Sequence, residues 1–240
     1  MFVRFVVALI LSCSFAAAAL ADAAAPPKTP APSSVSIDVK MGDQWDYQYR
    51  TTLNNRTSGT TSYVVQDVSA GKIDAERRLH DASSGRDTVI DTLYDGSWRV
   101  IEGPNGRFIN PDAVSEPFAS IAVGKQWTAD LLWQPKKSSL TLKWTEHGRV
   151  AAWESVTLPN GQTYDAFRIV LRRESAPAQG GGIQVVTPGL TTHQMVDRIV
   201  DWYAPAVNRY IKRTFEASRD GTVVQSYDEE LTNYSRGDGK

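Results

Sequence analysis

Three histidines, one cysteine and a run of acids are where chemistry would begin in this sequence. His80, His147 and His193 stand apart from one another and from any Cys, His or carboxylate at metal-ligand spacing, whereas a zinc site needs three or four converging ligands. His147 precedes Gly148 at a predicted turn and His193 falls in a Gly/Pro-rich stretch, so both read as exposed loop side chains. There is no Gly-x-Ser-x-Gly elbow, no Walker or dinucleotide loop, and no cysteine nucleophile beyond Cys13. Asp228-Glu229-Glu230 places Asp228 and Glu230 on one strand face and Glu229 on the other. Glycoside hydrolysis needs only two carboxylates across a cleft, but such a run ordinarily forms a solvated edge. The residues therefore assign no catalytic, metal or cofactor site, and no cofactor.

The stretch Asp201–Ala217, DWYAPAVNRYIKRTFEA, groups aromatic and cationic side chains around one proline. A nucleic-acid platform would stack bases on Tyr203 and Tyr210 and track phosphates with Arg209, Lys212 and Arg213. Asp201, Glu216, Asp228, Glu229 and Glu230 lie in the same meander and would cancel its field, so no nucleic-acid partner is expected. The segment reads instead as two strands around a proline corner. Trp202, Ile211 and Phe215 are its expected core, and its cations form a solvated face.

The elements that carry these residues are strands. In WDYQYRTTL, Trp45, Tyr47, Tyr49, Thr51 and Leu53 share one side and Asp46, Gln48, Arg50 and Thr52 the other, which is period two. NNRTSG then turns the chain into TTSYVVQDV, a hairpin. Short strands follow at Ile73–His80, Thr88–Tyr94 and Trp98–Glu102, and later in GKQWTADLLW, SLTLKWTEHG, RVAAWESVTL, TYDAFRIVLRRE and TVVQSYDEELTNY. Asp112–Ile121 has room for a turn or two of helix, and Ser175–Gln194, with three consecutive glycines, reads as a long mobile loop. The prediction is an all-β fold: an antiparallel meander forming a strongly curved sheet or partly open barrel, with two packed sheets as the alternative. Gly42-Asp43-Gln44-Trp45 and Gly124-Lys125-Gln126-Trp127 echo each other as strand entries.

The first residues have one cation, Arg4, an apolar run from Phe5 and a small-residue exit at Ala19-Leu20-Ala21, the anatomy of a secretory signal cleaved after Ala21. Ile10-Leu11-Ser12-Cys13 also resembles a lipoprotein box, with lipidated Cys13 as the alternative N-terminus. Cleavage leaves 25 cations against 27 acids and no thiol, so stability outside the cytoplasm must come from burial. Residues 22–34 are a Pro/Ala-rich linker, 35–234 one β domain and 235–240 a polar tail, with no transmembrane segment in the mature chain.

Four motifs carry a resemblance. They are Gly42–Trp45 (Gly-x-x-Trp), Val123–Trp127 (Val-Gly-Lys-x-Trp), Gly161–Ile169 (Gly-x-x-x-x-Ala-Phe-x-Ile) and Trp202–Lys212 (Trp-Tyr-x-Pro-x-Val-x-Arg-Tyr-x-Lys). In order and spacing the chain resembles a group of secreted, β-rich bacterial envelope domains, with Asn160-Gly161-Gln162 where that group tends to have Ala-Gly-Thr. The resemblance implies an all-β fold and an envelope location, and it supplies no catalytic residues. The expected role is a non-catalytic periplasmic or secreted protein that binds a hydrophobic or polymeric envelope ligand. The alternatives are a module recruiting an envelope protein by strand-edge pairing and a carboxylate-based hydrolase. An outer-membrane barrel is disfavoured, since Asp197, Asp201, Arg209 and Arg213 would meet lipid.

Overall fold

The computed structural model describes residues 26–33, 35, 38–53, 57–110, 121–137, 141–175 and 194–238. Among these the chain forms twelve strands: β1 (Gln44–Thr51), β2 (Thr57–Ser69), β3 (Lys72–Asp81), β4 (Arg86–Asp95), β5 (Val100–Gly103), β6 (Gly106–Phe108), β7 (Gln126–Pro135), β8 (Leu142–Thr157), β9 (Thr163–Ser175), β10 (Met195–Ala204), β11 (Arg209–Arg219) and β12 (Thr222–Ser235). Each pairs antiparallel with its sequence neighbour, and β1 also pairs with β12, so the meander closes into a barrel. The only helical element among the described residues is a single 3-10 turn, Pro205–Val207, at the proline corner between β10 and β11.

The period-two pattern is what closes the ring, because it gives every strand one face that must leave water. Trp45 and Tyr47 are wholly buried, as are Phe167 and Leu131 on the opposite wall. One interior cluster gathers Trp45, Tyr47, Trp98, Leu158, Val207 and Ile211, and a second gathers Ile121, Val150, Phe167, Ile169, Leu171 and Ile199. The outer face is charged, with exposed pairs Arg198–Glu216, Arg172–Glu174 and Lys143–Asp130. That is not the apolar band a lipid-spanning barrel presents. The residues expected to meet lipid point the other way: Asp201, Arg209 and Arg213 line the interior.

Closure also changes the strand-edge alternative. Among the described residues neither β1 nor β12 is left as an edge, so the ladder open to strand addition is confined to β4. Among the described residues, β4 pairs with β5 only through Leu93 and Tyr94, which leaves 86–92 bonded on one side alone.

From Leu142 to Thr157 the stretches SLTLKWTEHG and RVAAWESVTL run on as one strand, β8, and Gly148 lies inside it rather than at a turn. The glycine serves a different need: a Cβ there would come within 2.1 Å of the Trp127 indole, which lies flat over it. The two Gly-x-x-Trp echoes are the same structural event. Gly42 and Gly124 have φ of 84° and 90°, and each donates its N–H to a neighbouring strand, at Val65 O and Val150 O, just before β1 and β7 begin.

The expectations for Asp112–Ile121 and Ser175–Gln194 fall almost wholly outside the described residues, as do Cys13 and the segment ending at Ala21. Lys28 and Thr29 lie against the wall, their N–H groups donating to the Asp165 carboxylate at 3.1 and 2.9 Å. At the other end of the chain, Arg236 pairs with Asp38 at 2.6 Å and the Gly237 N–H donates to Asp43 at 2.7 Å. No helix among the described residues is long and apolar enough to cross a membrane.

Candidate functional site in the barrel lumen

The proline corner turns inward and is held there by side chains of β1 and of the β4–β5 turn. The Trp45 indole donates to Val207 O at 2.8 Å, the Trp98 indole to Asn208 O at 2.7 Å, and the Tyr47 hydroxyl to Tyr210 O at 2.7 Å. Asn208 adopts φ 54°, ψ 25°, the left-handed conformation that asparagine tolerates, and its side-chain amide donates to Asp38 O at 3.1 Å. This geometry delivers the next residue, Arg209, into the barrel.

Arg209 is 2% exposed. Its guanidinium carbon lies 3.8 Å from the centre of the Tyr63 ring, 4.0 Å from that of Trp98 and 5.0 Å from that of Tyr210. Trp45, Tyr94 and Tyr47 complete the cage at 5.6, 5.8 and 6.0 Å. Aromatic faces attract a cation, each by about 0.5–2 kcal/mol depending on how dry the site is. They accept no strong hydrogen bond. Nε and Nη1 of Arg209 have no hydrogen-bond partner among the described residues.

Its neighbours are different, because each is answered by a carboxylate. Arg213 grips Asp201 through two bonds, Nε to Oδ1 at 2.6 Å and Nη2 to Oδ2 at 2.8 Å. Arg77 lies 3.4 Å from Glu229, and that carboxylate also accepts the Tyr210 hydroxyl at 2.8 Å. Glu146, wholly buried, takes Arg99 and the Trp127 indole on one oxygen and Arg173 at 2.8 Å on the other. Burial pushes its carboxyl up, but Arg173, Arg99 and the indole outweigh that and hold it at about 2. Burial pushes the Tyr47 and Tyr210 phenols well above their ordinary value, so at neutral pH both remain neutral hydroxyls.

These groups surround a chamber of about 270 Å³, lined by Tyr63, Tyr94, Trp98 and Tyr203 among others, and by five arginines: Arg77, Arg99, Arg173, Arg209 and Arg213. A larger cleft of about 450 Å³ lies over the outer surface of β7–β9 beside Gln126, His147, Arg149 and Arg172. That cleft is an open groove.

The sequence-based candidates are placed as follows. His80 sits on β3, outside, with Nδ1 2.7 Å from Asp87; His147 sits on β8, outside, with Nδ1 3.0 Å from the Thr128 hydroxyl. Both are exposed, on strands rather than loops, and His193 lies outside the described residues. Of the acid run, Glu229 enters the lumen whereas Glu230 pairs with Lys212 at 2.9 Å on the other face. Tyr203, Tyr210, Arg209 and Arg213 line the chamber and are not a surface platform; Lys212 alone of the three cations is outward. Trp202 is half-buried and packs against the first core cluster, its indole donating to Glu154 at 2.7 Å. Ile211 and Phe215 do face inward.

The signal for the missed lumen residues was present in parity. Arg209 and Arg213 share odd positions with Ile211, Phe215 and Ala217, and Asp201 shares its face with Ile199 and Tyr203. A charge on the apolar face of a strand is a buried charge if that face closes on itself. No group of three or more His, Cys, Asp and Glu side chains placed to hold a metal ion exists among the described residues.

No protein-family model matches the chain, and no curated protein matches it in sequence. Solved structures do match. The hypothetical lipoprotein YmcC of Escherichia coli aligns at 11% identity over 84% of this chain and 90% of its own, with a TM-score of 0.45. A candidate lipoprotein of Parabacteroides distasonis aligns at 13% identity over 85% of this chain and 100% of its own, also at 0.45. A candidate exported protein with a YmcC-like fold from Bacteroides fragilis aligns at 11% identity over 85% and 100%, at 0.42.

Proposed function

We propose that this chain is an exported envelope protein that holds a small molecule in the lumen of its barrel without transforming it. The chamber of about 270 Å³, walled by aromatic rings and polar groups that converge from several strands, carries this reading. Its size favours a small ligand over the polymeric one, which would need a groove open along the surface. Glu146, held at about 2, is an anion at neutral pH and cannot donate a proton. Glu229 and Asp201 are likewise engaged by Arg77 and Arg213, which weighs against the carboxylate hydrolase.

Export rests on the first 21 residues. The intact mass of the protein from the periplasm should begin at Asp22; a diacylated chain beginning at Cys13 would establish the lipoprotein alternative. Native mass spectrometry of the same sample tests the binding role. A small adduct lost on denaturation is expected, and a bare polypeptide mass from freshly isolated protein would count against the reading.

A further inference from the structure

Among the described residues five guanidiniums reach the lumen; Asp197, Asp201, Glu146 and Glu229 face them from inward strand positions, and buried Asp95, at the end of β4, acts on Arg99. Asp201, Glu146 and Glu229 are each in ion-pair contact with an arginine, and Asp197 stands opposite Arg173 in the β9–β10 register. One of the five has no carboxylate in contact among the described residues. It is Arg209, which has rings around it and whose Nε and Nη1 meet no hydrogen-bond acceptor there.

The orphaned polar atoms point the same way. Besides Nε and Nη1 of Arg209, Arg77 Nε and Arg99 Nη1 are buried without a partner among the described residues, and all three side chains line the chamber. Every one of these atoms is a donor. Desolvating a cation is costly unless a counter-charge replaces the lost water, and a buried donor left unmade carries the full cost of its own desolvation. A wall with surplus donors and a guanidinium that has no counter-charge in contact is complementary to an acceptor that brings a negative charge. The remaining wall, Tyr63, Tyr94, Trp98 and Phe108, is complementary to an apolar body.

We propose that the lumen binds a small monocarboxylate with an apolar body, its carboxylate accepting from Arg209 and its body resting on the rings of Tyr63 and Trp98. The chamber has the volume of about nine water molecules, which sets the scale at that of hexanoate or benzoate, not a long-chain lipid. The assignment rests on the reading of the barrel as a holder and adds what is held.

The test is calorimetric titration of the mature, exported protein with sodium hexanoate, with 1-hexanol as its uncharged counterpart and with phenyl phosphate as a doubly charged head. Hexanoate is expected to bind at least about 10-fold more tightly than 1-hexanol, the factor that a hydrogen bond to a charged group supplies. Arg209→Met should bring that ratio close to one, whereas Lys212→Met, which removes a cation from the outer face, should leave it unchanged. The wild-type ratio decides the matter even where the Arg209 variant fails to fold. Equal binding of hexanoate and 1-hexanol overturns the carboxylate assignment and leaves the holder reading standing. Tighter binding of phenyl phosphate than of hexanoate overturns the single charge. No binding of any probe overturns the proposal, and if native mass spectrometry also shows no adduct the holder reading falls with it.

Discussion

The Arg209 guanidinium carbon and the Tyr63 ring centre are 3.8 Å apart, deep in a closed barrel, and among the described residues no carboxylate is paired with that cation. A desolvated charge without a counter-ion in contact does not by itself favour the folded state. Arg209→Met keeps the side-chain length and removes the desolvated charge, and exchanges of buried charge for apolar side chains are often stabilising by about 1–4 kcal/mol. The ligand-free variant should therefore be more stable than wild type by about 1–2 kcal/mol in urea denaturation. A loss of stability would mean that the ring cage compensates the charge in full.

Glu146 behaves oppositely because it answers two cations at once. Glu146→Gln leaves Arg99 and Arg173 facing each other across a neutral amide, and removing one partner of a buried ion pair costs about 3–5 kcal/mol. Glu230→Gln, on the outer face beside Lys212, should cost less than about 1 kcal/mol. Equal effects in thermal or urea unfolding would show that the lumen pair is no drier than the surface.

The same carboxylate sets an acid limb. Its folded value of about 2 lies below the ordinary 4.5, so the unfolded chain takes up this proton first as pH falls. The contribution, roughly 3 kcal/mol, is complete above about pH 4.5 and is lost progressively between about pH 4.5 and 2. Urea midpoints should fall through that window in the wild type, and the Glu146→Gln variant should show a shallower decline there.

Trp98 ties the proline corner to the opposite wall. Trp98→Phe keeps a ring in the cage but strips the donor from Asn208 O, a buried carbonyl whose loss of partner costs about 1–3 kcal/mol. Trp202→Phe, at a half-buried position, should cost less. Thermal unfolding of the two variants side by side checks the order; reversal would place the corner outside the core.

The strands and their inward faces were readable because alternation is a local property: Trp45 and Tyr47 announce their side within five residues. Whether the sheet closes was not readable, since the β1–β12 register joins residues nearly two hundred positions apart. Closure decided the fate of the charges. Before it is known, Arg213 beside Phe215 is equally a solvated cation or a buried one, and only a ring in which Asp201 lies opposite turns the parity into an ion pair. Gly148 misled for a related reason: it looks like punctuation, yet the space it leaves is filled by an indole from the neighbouring strand.

The seam between β1 and β12 gives the molecule a temporal order. A polypeptide is made N-terminus first, so Trp45 and Tyr47 emerge long before Leu231 and Tyr234, against which their strand must pair. Until then β1 is bonded on one side only and the aromatic interior stands open to chaperones, proteases and solutes. A ligand of the kind proposed would therefore find the lumen open while the last strand is still missing, and the final hairpin would be the clasp that shuts over it.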